Sequence, residues 1–325
     1  MAHRISVPDD FPRALGGTKA EEKLMTIGEV RLYSDKAKDP QELVERLKGA
    51  EVAINIRAYS HFTREVLGCC PDLRLISIWG TGTDHVDLAA AREIGITVTN
   101  TPGANALSVA EHTIAILLSL ARQIPLLDRE VRAGNWPRVE MVQLSGKVIG
   151  LLGLGAIGSY VAKMAHGLGM EVIAWTLHPS SERAKESGVR FVSKEVLLKQ
   201  SDVVSLHLHL DDKTRGVFKK EDFARMKPTA FFVNTARAGL IEPWALYDAL
   251  RMKKIAGAAL DTYDQEPLSP GDPLTSLPNL VLTPHNAGMT PEATLTGLMM
   301  AVENAEAFLM GKQLNPKYLA AKGTR

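Results

Sequence analysis

The chain has 325 residues, with 38 Lys plus Arg against 37 Asp plus Glu and a formal net charge of +1. So balanced a surface lacks the basic footprint needed to grip nucleic acid or an anionic membrane, and it points to a small-molecule partner instead. The length predicts about two domains, each able to bury its own core.

The N-terminal stretch MAHRISVPDD carries charge but no apolar run of signal-peptide length. The two cysteines, Cys69 and Cys70, are adjacent and have no partner elsewhere. That pattern argues against a disulfide framework or a metal site and fits a reducing cytosol, so a soluble cytoplasmic protein without metal is expected. Short apolar or β-branched runs fall at 52–56, 74–79, 148–153, 171–175, 202–208, 230–234, 255–260 and 280–283, and helical patterns separate them. The alternation predicts an α/β fold with parallel, doubly wound sheets covered by helices.

A Pro-Gly break, NTPGAN at 100–105, leads into a stretch predicted to be one long helix over 108–133, which Gly134-Asn135-Trp136-Pro137 ends. Its longest apolar run, 114–121, is too short to span a bilayer. A second break, NAGMTPE at 286–292, precedes a helix whose Leu295, Leu298, Met299, Val302, Phe308 and Leu309 fall near helical spacing. The two breaks predict an inner domain, 104–292, inserted into an outer domain made of 1–103 and 293–325.

The strand at 148–153 runs into Gly153-Leu154-Gly155-Ala156-Ile157-Gly158, and a helical stretch follows. Between a strand and a helix, this spacing permits a tight turn, close backbone approach to a pyrophosphate and stabilisation of that anion by the helix N-terminus. Gly153, Gly155, Ala156, Ile157 and Gly158 are therefore assigned to a dinucleotide. An acid is expected at the tip of the next strand to hold the ribose. Thr176 stands there instead, ahead of Leu177-His178-Pro179-Ser180-Ser181-Glu182-Arg183. Without a carboxylate to attract ribose hydroxyls and repel a 2′-phosphate, NADP is expected to be accepted as well as NAD, with a small preference for NADP.

Three more strand ends carry charged residues: Arg237 beside the small Thr235 and Ala236, Asp261 with Glu266 in the loop after it, and His285 followed by Asn286-Ala287-Gly288. In open α/β sheets the ligand crevice lies outside the carboxyl ends of the strands, so these groups are predicted to converge.

The segments GTGTDHVDLAAAREIGITVTNTPGANALSVAEHT (80–113), GLGAIG (153–158), MKPTAFFVNTARAG (226–239), AALDTYDQEPL (258–268) and LTPHNAG (282–288) together resemble the D-isomer-specific 2-hydroxyacid dehydrogenase family over nearly the whole chain. The resemblance implies a Rossmann-type cofactor domain inserted into a flavodoxin-like substrate domain. It implies Arg237 as holder of a 2-oxo carboxylate, His285 as proton donor and acceptor, and Glu266 as the group that orients the imidazole. Thr235, Ala236, Asp261, His209 and Gly288 fall on cofactor-side positions, Asp261 near the carboxamide, although the family usually has proline where His209 stands. Arg57 and the Trp79-Gly80-Thr81-Gly82 loop fall on substrate-side positions.

Two alternatives stay open. Formate dehydrogenases resemble this chain but carry glutamine where Glu266 stands, and nicotinamide-sensing corepressor-like proteins keep the same three residues. The family resemblance also implies a homodimer built on the long helix and the arm around Trp136. The chain ends soon after residue 310, so the added regulatory domain of longer phosphoglycerate dehydrogenases is not expected.

Overall fold

The computed structural model describes residues 2–323. Strands β1 (Arg4–Val7), β2 (Glu29–Leu32), β3 (Val52–Asn55), β4 (Leu75–Ile78) and β5 (Thr97–Thr99) come first. Strands β6 (Val148–Leu152), β7 (Glu171–Trp175), β8 (Arg190–Phe191), β9 (Val203–Leu206), β10 (Phe231–Asn234), β11 (Gly257–Leu260) and β12 (Leu280–Leu282) follow, and β13 (Leu319–Ala321) comes last. The chain divides into two compact units, one of residues 1–105 with 289–325 and the other of 106–288.

In the first unit the strands lie in the order β13-β5-β4-β3-β1-β2. All pair in parallel except β13, which runs antiparallel along β5. Order 2-1-3-4-5 is that of flavodoxin-like sheets, in which both faces must be covered. One face carries Leu67, Leu73, Ile76 and Ile96; the other carries Ile5, Ile54 and Leu75 under Leu298 and Val302 of the helix Pro291–Leu309. That helix starts with Pro291 behind an N-cap Thr290, whose hydroxyl accepts from the Ala293 amide.

The second unit holds seven parallel strands in the order β12-β11-β10-β9-β6-β7-β8. Numbered within the unit this is the Rossmann order with one strand added, and it puts the switch point at β6, between β7 and β9. Its central strands β9, β10 and β11 are buried at every position and are apolar except for Ser205 and Asn234, because both faces of the sheet are covered. One face packs under the helices Ala106–Ala121 and Ala156–Gly167. The other closes over three mutually tilted rings, Phe218, Phe223 and Phe232, with centroids 4.7 to 5.1 Å apart. The two sheets make the doubly wound α/β class, a Rossmann-type unit inserted into a flavodoxin-like one. Among the described residues no helix is long and apolar enough to cross a membrane.

The single helix expected over 108–133 is two helices, Ala106–Ala121 and Ile124–Arg132. Gln123 breaks it with φ 52°, and Pro125 sits in the first turn of the second helix, where its missing N–H does no harm. Five strands had no counterpart in the sequence pattern: β1, β2, β5, β8 and β13. They have two to four residues each, and in β1, β2, β5 and β8 polar residues such as Arg4, Glu29, Arg31, Thr97 and Arg190 interrupt the apolar run that marks the other strands.

Candidate active site

At the end of β6 the three glycines meet different demands. Gly153 turns at φ 105°, and a Cβ there would lie 2.6 Å from the His207 carbonyl oxygen. A Cβ on Gly158 would collide with the Gly153 carbonyl, so strand and helix could not approach as they do. A Cβ on Gly155 would meet nothing within 4 Å. Gly155 is the N-cap of Ala156–Gly167 and no side chain caps that helix, which leaves room and donors for an anion on the outer side of the turn. The residues therefore fit a dinucleotide pyrophosphate. Gly153→Ala is expected to lose ~2 kcal/mol or more of stability through steric strain. Gly155→Val should instead melt near the parent and weaken NADH or NADPH binding ~10-fold or more by filling that space, as a fluorescence titration would show.

Thr176 follows β7 directly, and the loop after it ends in the short helix Ser181–Ser187. Ser180 is used as that helix's N-cap, accepting from the Arg183 amide at 3.3 Å. Arg183 reaches back to the glycine turn and donates through Nη1 to the Leu154 carbonyl at 3.0 Å. His178 is exposed. In the loop after β9, His209 is exposed and its carbonyl accepts from the Thr214 hydroxyl. Its neighbour His207 is driven down to about 4 by burial and stays neutral, bonded to the Ser205 hydroxyl.

At the end of β10 the Asn234 side chain braces the next turn, accepting from the Ala236 amide at 3.0 Å and donating to the Arg237 carbonyl at 3.0 Å. Arg237 is half-buried and one of its Nη groups donates to the Ala236 carbonyl at 2.9 Å. The Thr113 hydroxyl donates to the Val109 carbonyl, so the Thr235 hydroxyl must be the donor in their 2.8 Å contact. The stretch NTARAG is thus a rigid turn.

Glu266 and His285 are brought together although 19 residues separate them, with Oε2 and Nδ1 2.7 Å apart. The other oxygen, Oε1, accepts from the Tyr263 amide at 3.0 Å, which fixes the carboxylate. Burial pushes the Glu266 carboxyl up, but the His285 hydrogen bond and charge, the Tyr263 amide and the Arg237 charge outweigh it, and the group is held below its ordinary range. His285 is 41% and Glu266 36% exposed, so the pair faces solvent space rather than a closed core. The backbone of His285 lies at φ 56°, a region that a residue with a Cβ occupies only when its surroundings impose it.

The surroundings that impose it are centred on Asp261, fully buried after β11. Its Oδ1 accepts from the Thr283 hydroxyl at 2.6 Å and the Asn286 amide at 3.0 Å, and its Oδ2 accepts from the Ala287 amide at 2.9 Å. Burial pushes this carboxyl up, yet hydrogen bonds involving His112, Thr283, Ala287 and Asn286 hold it below its ordinary value. Its oxygens are engaged with the turn that carries His285. Gly288 ends this turn. His112, Thr283 and Asn234 were not singled out from the sequence. A histidine inside the apolar run EHTIAIL and a threonine just ahead of Pro284 were the available signals.

The first unit holds the other predicted residues. The Arg57 guanidinium stacks over the Trp79 ring at 5.0 Å and donates to the Pro12 carbonyl at 2.9 Å. Gly80 turns at φ 123°, and its amide is already taken by the Thr101 hydroxyl at 2.7 Å. Asn100 donates to the Thr81 carbonyl. Gly82 is partly buried in the same loop.

Residues 114–287 match the family model described as D-isomer specific 2-hydroxyacid dehydrogenase, NAD binding domain. A glyoxylate reductase of Korarchaeum cryptofilum is 36% identical over 96% of this chain and 94% of its own length. A D-3-phosphoglycerate dehydrogenase of Archaeoglobus fulgidus is 41% identical over 81% of this chain but only 50% of that protein, so the chain spans about half the length of this relative. Among solved structures, the TT0316 protein from Thermus thermophilus superposes with a TM-score of 0.87 at 36% identity, covering 98% of this chain and 100% of that one. A nicotinamide-nucleotide unit with a strained, carboxylate-paired histidine, matched by relatives over nearly its full length, places this chain in the D-isomer-specific 2-hydroxyacid dehydrogenase family of oxidoreductases.

Proposed function

We propose that the chain interconverts a small 2-oxo acid and the corresponding D-2-hydroxy acid, and the 2.7 Å pairing of Glu266 with His285 is the observation that carries this reading. A nicotinamide cofactor, when bound, supplies or accepts the hydride at the substrate carbon. Arg237 offers a planar fork of donors for the substrate carboxylate and carbonyl oxygen. Because Nδ1 of His285 is occupied by Glu266, Nε2 is the nitrogen that delivers a proton to the carbonyl oxygen during reduction and takes it back during oxidation. Glu266 stays ionised, fixes that tautomer and stabilises the imidazolium. Arg57 and the Trp79–Gly82 loop are assigned to the substrate side through the family resemblance, with Thr81 and Gly82 the amides to test, since that of Gly80 is engaged.

The test is turnover of glyoxylate and of D-3-phosphoglycerate with each cofactor. Reduction of glyoxylate or another small 2-oxo acid is expected. Tight cofactor binding with no turnover of any 2-oxo or 2-hydroxy acid would favour a sensor. The curated relatives are a D-3-phosphoglycerate dehydrogenase and a glyoxylate reductase, which disfavours a sensor, and Glu266 stands where formate dehydrogenases carry glutamine, which disfavours that enzyme.

For the cofactor, we assign acceptance of NADPH, with a small preference for it, to the absence of a carboxylate at Thr176 and the placement of Arg183 against the glycine turn. Thr176→Asp is expected to shift kcat/KM toward NADH by ~10- to 1,000-fold, the scale of one hydrogen bond gained and one charge repulsion added. A parent that rejects NADPH by more than ~100-fold (~2.7 kcal/mol) would refute the assignment.

A homodimer is also proposed. The helix Ile124–Arg132 buries none of its residues, and Ile124, Val131, Trp136 and Met141 are 52%, 50%, 77% and 44% exposed. Apolar side chains left uncovered along one continuous segment mark an interaction surface. Light scattering at micromolar concentration should give twice the chain mass. Adjacent, unpaired Cys69 and Cys70 are in keeping with a cytoplasmic protein.

A further inference from the structure

Two neighbouring residues of the helix Ala106–Ala121 reach two different strand-end loops of the same unit. Thr113 bonds the hydroxyl of Thr235 at 2.8 Å, two residues before Arg237. His112 places Nε2 3.0 Å from the hydroxyl of Thr283, two residues before His285, and 3.5 Å from Asp261 Oδ1. The hydroxyl of Thr283 has one proton, and Asp261 Oδ1 at 2.6 Å takes it in preference to the Leu260 carbonyl at 3.3 Å. The lone pair of that hydroxyl is then what faces His112, so His112 must donate through Nε2. A directed chain results, from His112 to Thr283 to Asp261, whose two oxygens in turn hold the amides of Asn286 and Ala287 immediately after His285.

From this we infer that His112 is a positioning residue for His285, acting through Thr283 and Asp261. With Thr113, it sets the Arg237 and His285 turns from one rigid helix. The backbone of His285 is held at φ 56°, so something must oppose its return to an ordinary conformation. The two amide bonds to Asp261 do so only while that carboxylate keeps its orientation, and His112 and Thr283 orient it. A buried network of this kind is rigid when every member is satisfied and loosens when one donor is removed.

The inference rests on the role proposed for His285, so the experiment has a readout independent of turnover. In His112→Leu, amide hydrogen exchange at Asn286 and Ala287 is expected to accelerate ~10-fold or more while exchange in β9 and β10 stays at the parent rate. On a substrate the parent turns over, kcat should fall ~10-fold with KM for the cofactor unchanged. His112→Gln keeps an N–H donor near the same place and should restore both quantities to within ~3-fold of the parent. Thr283→Val, nearly isosteric, should reproduce the His112→Leu pattern, and Thr283→Ser should not. Parent-like exchange at Asn286 and Ala287 in both His112→Leu and Thr283→Val overturns the inference, as does an equal effect of His112→Gln and His112→Leu. If exchange responds as expected but the parent turns over no 2-oxo acid, the positioning network stands and the proposed reaction falls.

Discussion

Replacement of His285 by alanine is expected to lower kcat for 2-oxo acid reduction by ~100-fold or more, equivalent to ~2.7 kcal/mol of transition-state stabilisation, with cofactor affinity nearly unchanged. The imidazole is held by a carboxylate at 2.7 Å through Nδ1 and is 41% exposed. In the proposed reaction, removing it would take away proton delivery to the oxygen as hydride arrives, a contribution made in the transition state and not in cofactor binding. Stability should respond in the opposite sense in His285→Gly. At φ 56° a residue with a Cβ is strained, and glycine relieves ~1 kcal/mol of that strain. The Glu266 pair is too exposed to offset this fully. His285→Gly should therefore melt at or above the parent temperature while being inactive. An active His285→Ala enzyme, or a His285→Gly variant that melts well below the parent, would separate the strained turn from the chemistry.

The second large effect is expected at Arg237. Lysine keeps the charge and loses the planar fork, so Arg237→Lys should lower kcat/KM by ~100-fold, with much of the loss in KM. The turn that presents Arg237 is braced by Asn234 through two hydrogen bonds, so the lysine would start from the same backbone position. It would also remain a positive charge near Glu266, as Arg237 is now. What changes is the number and geometry of donors that the proposed substrate site would offer. Parent-like KM and kcat in Arg237→Lys would mean that another cation holds the carboxylate.

Much of the fold was legible because its strands are buried on both faces. β3, β4, β6, β7 and β9 to β12 all announce themselves as apolar runs between helical patterns, and the glycine turn follows from its place between β6 and a helix. The helix break at Gln123 was missed although Pro125 signalled it, because the apolar periodicity on either side continues through the break. At the site, the charged residues at strand ends could be picked out since chemistry restricts which side chains serve there. The groups that hold them could not. His112 and Thr283 act at sequence separations of 171 and 22 residues, and no local pattern distinguishes a threonine that bonds a buried aspartate from one that faces water. The positive φ of His285 was hidden too, since residues other than glycine adopt it uncommonly and no local pattern marks which histidine will.

The path of the chain through the first unit has a consequence for synthesis. One face of its sheet is closed by Leu298, Ala301 and Val302, and its β5 edge is covered by β13 at Leu319–Ala321. A ribosome therefore completes the whole of 106–288 before the first hundred residues meet the side chains that finish their core. Until then Ile5, Ile54 and Leu75 lack that covering helix, and β5 presents an unpaired edge of the kind that recruits other chains. A chain truncated at residue 290 and released from the ribosome should accordingly carry a protease-resistant middle segment and a protease-sensitive N-terminal one. The hundred residues made first are the last to become native.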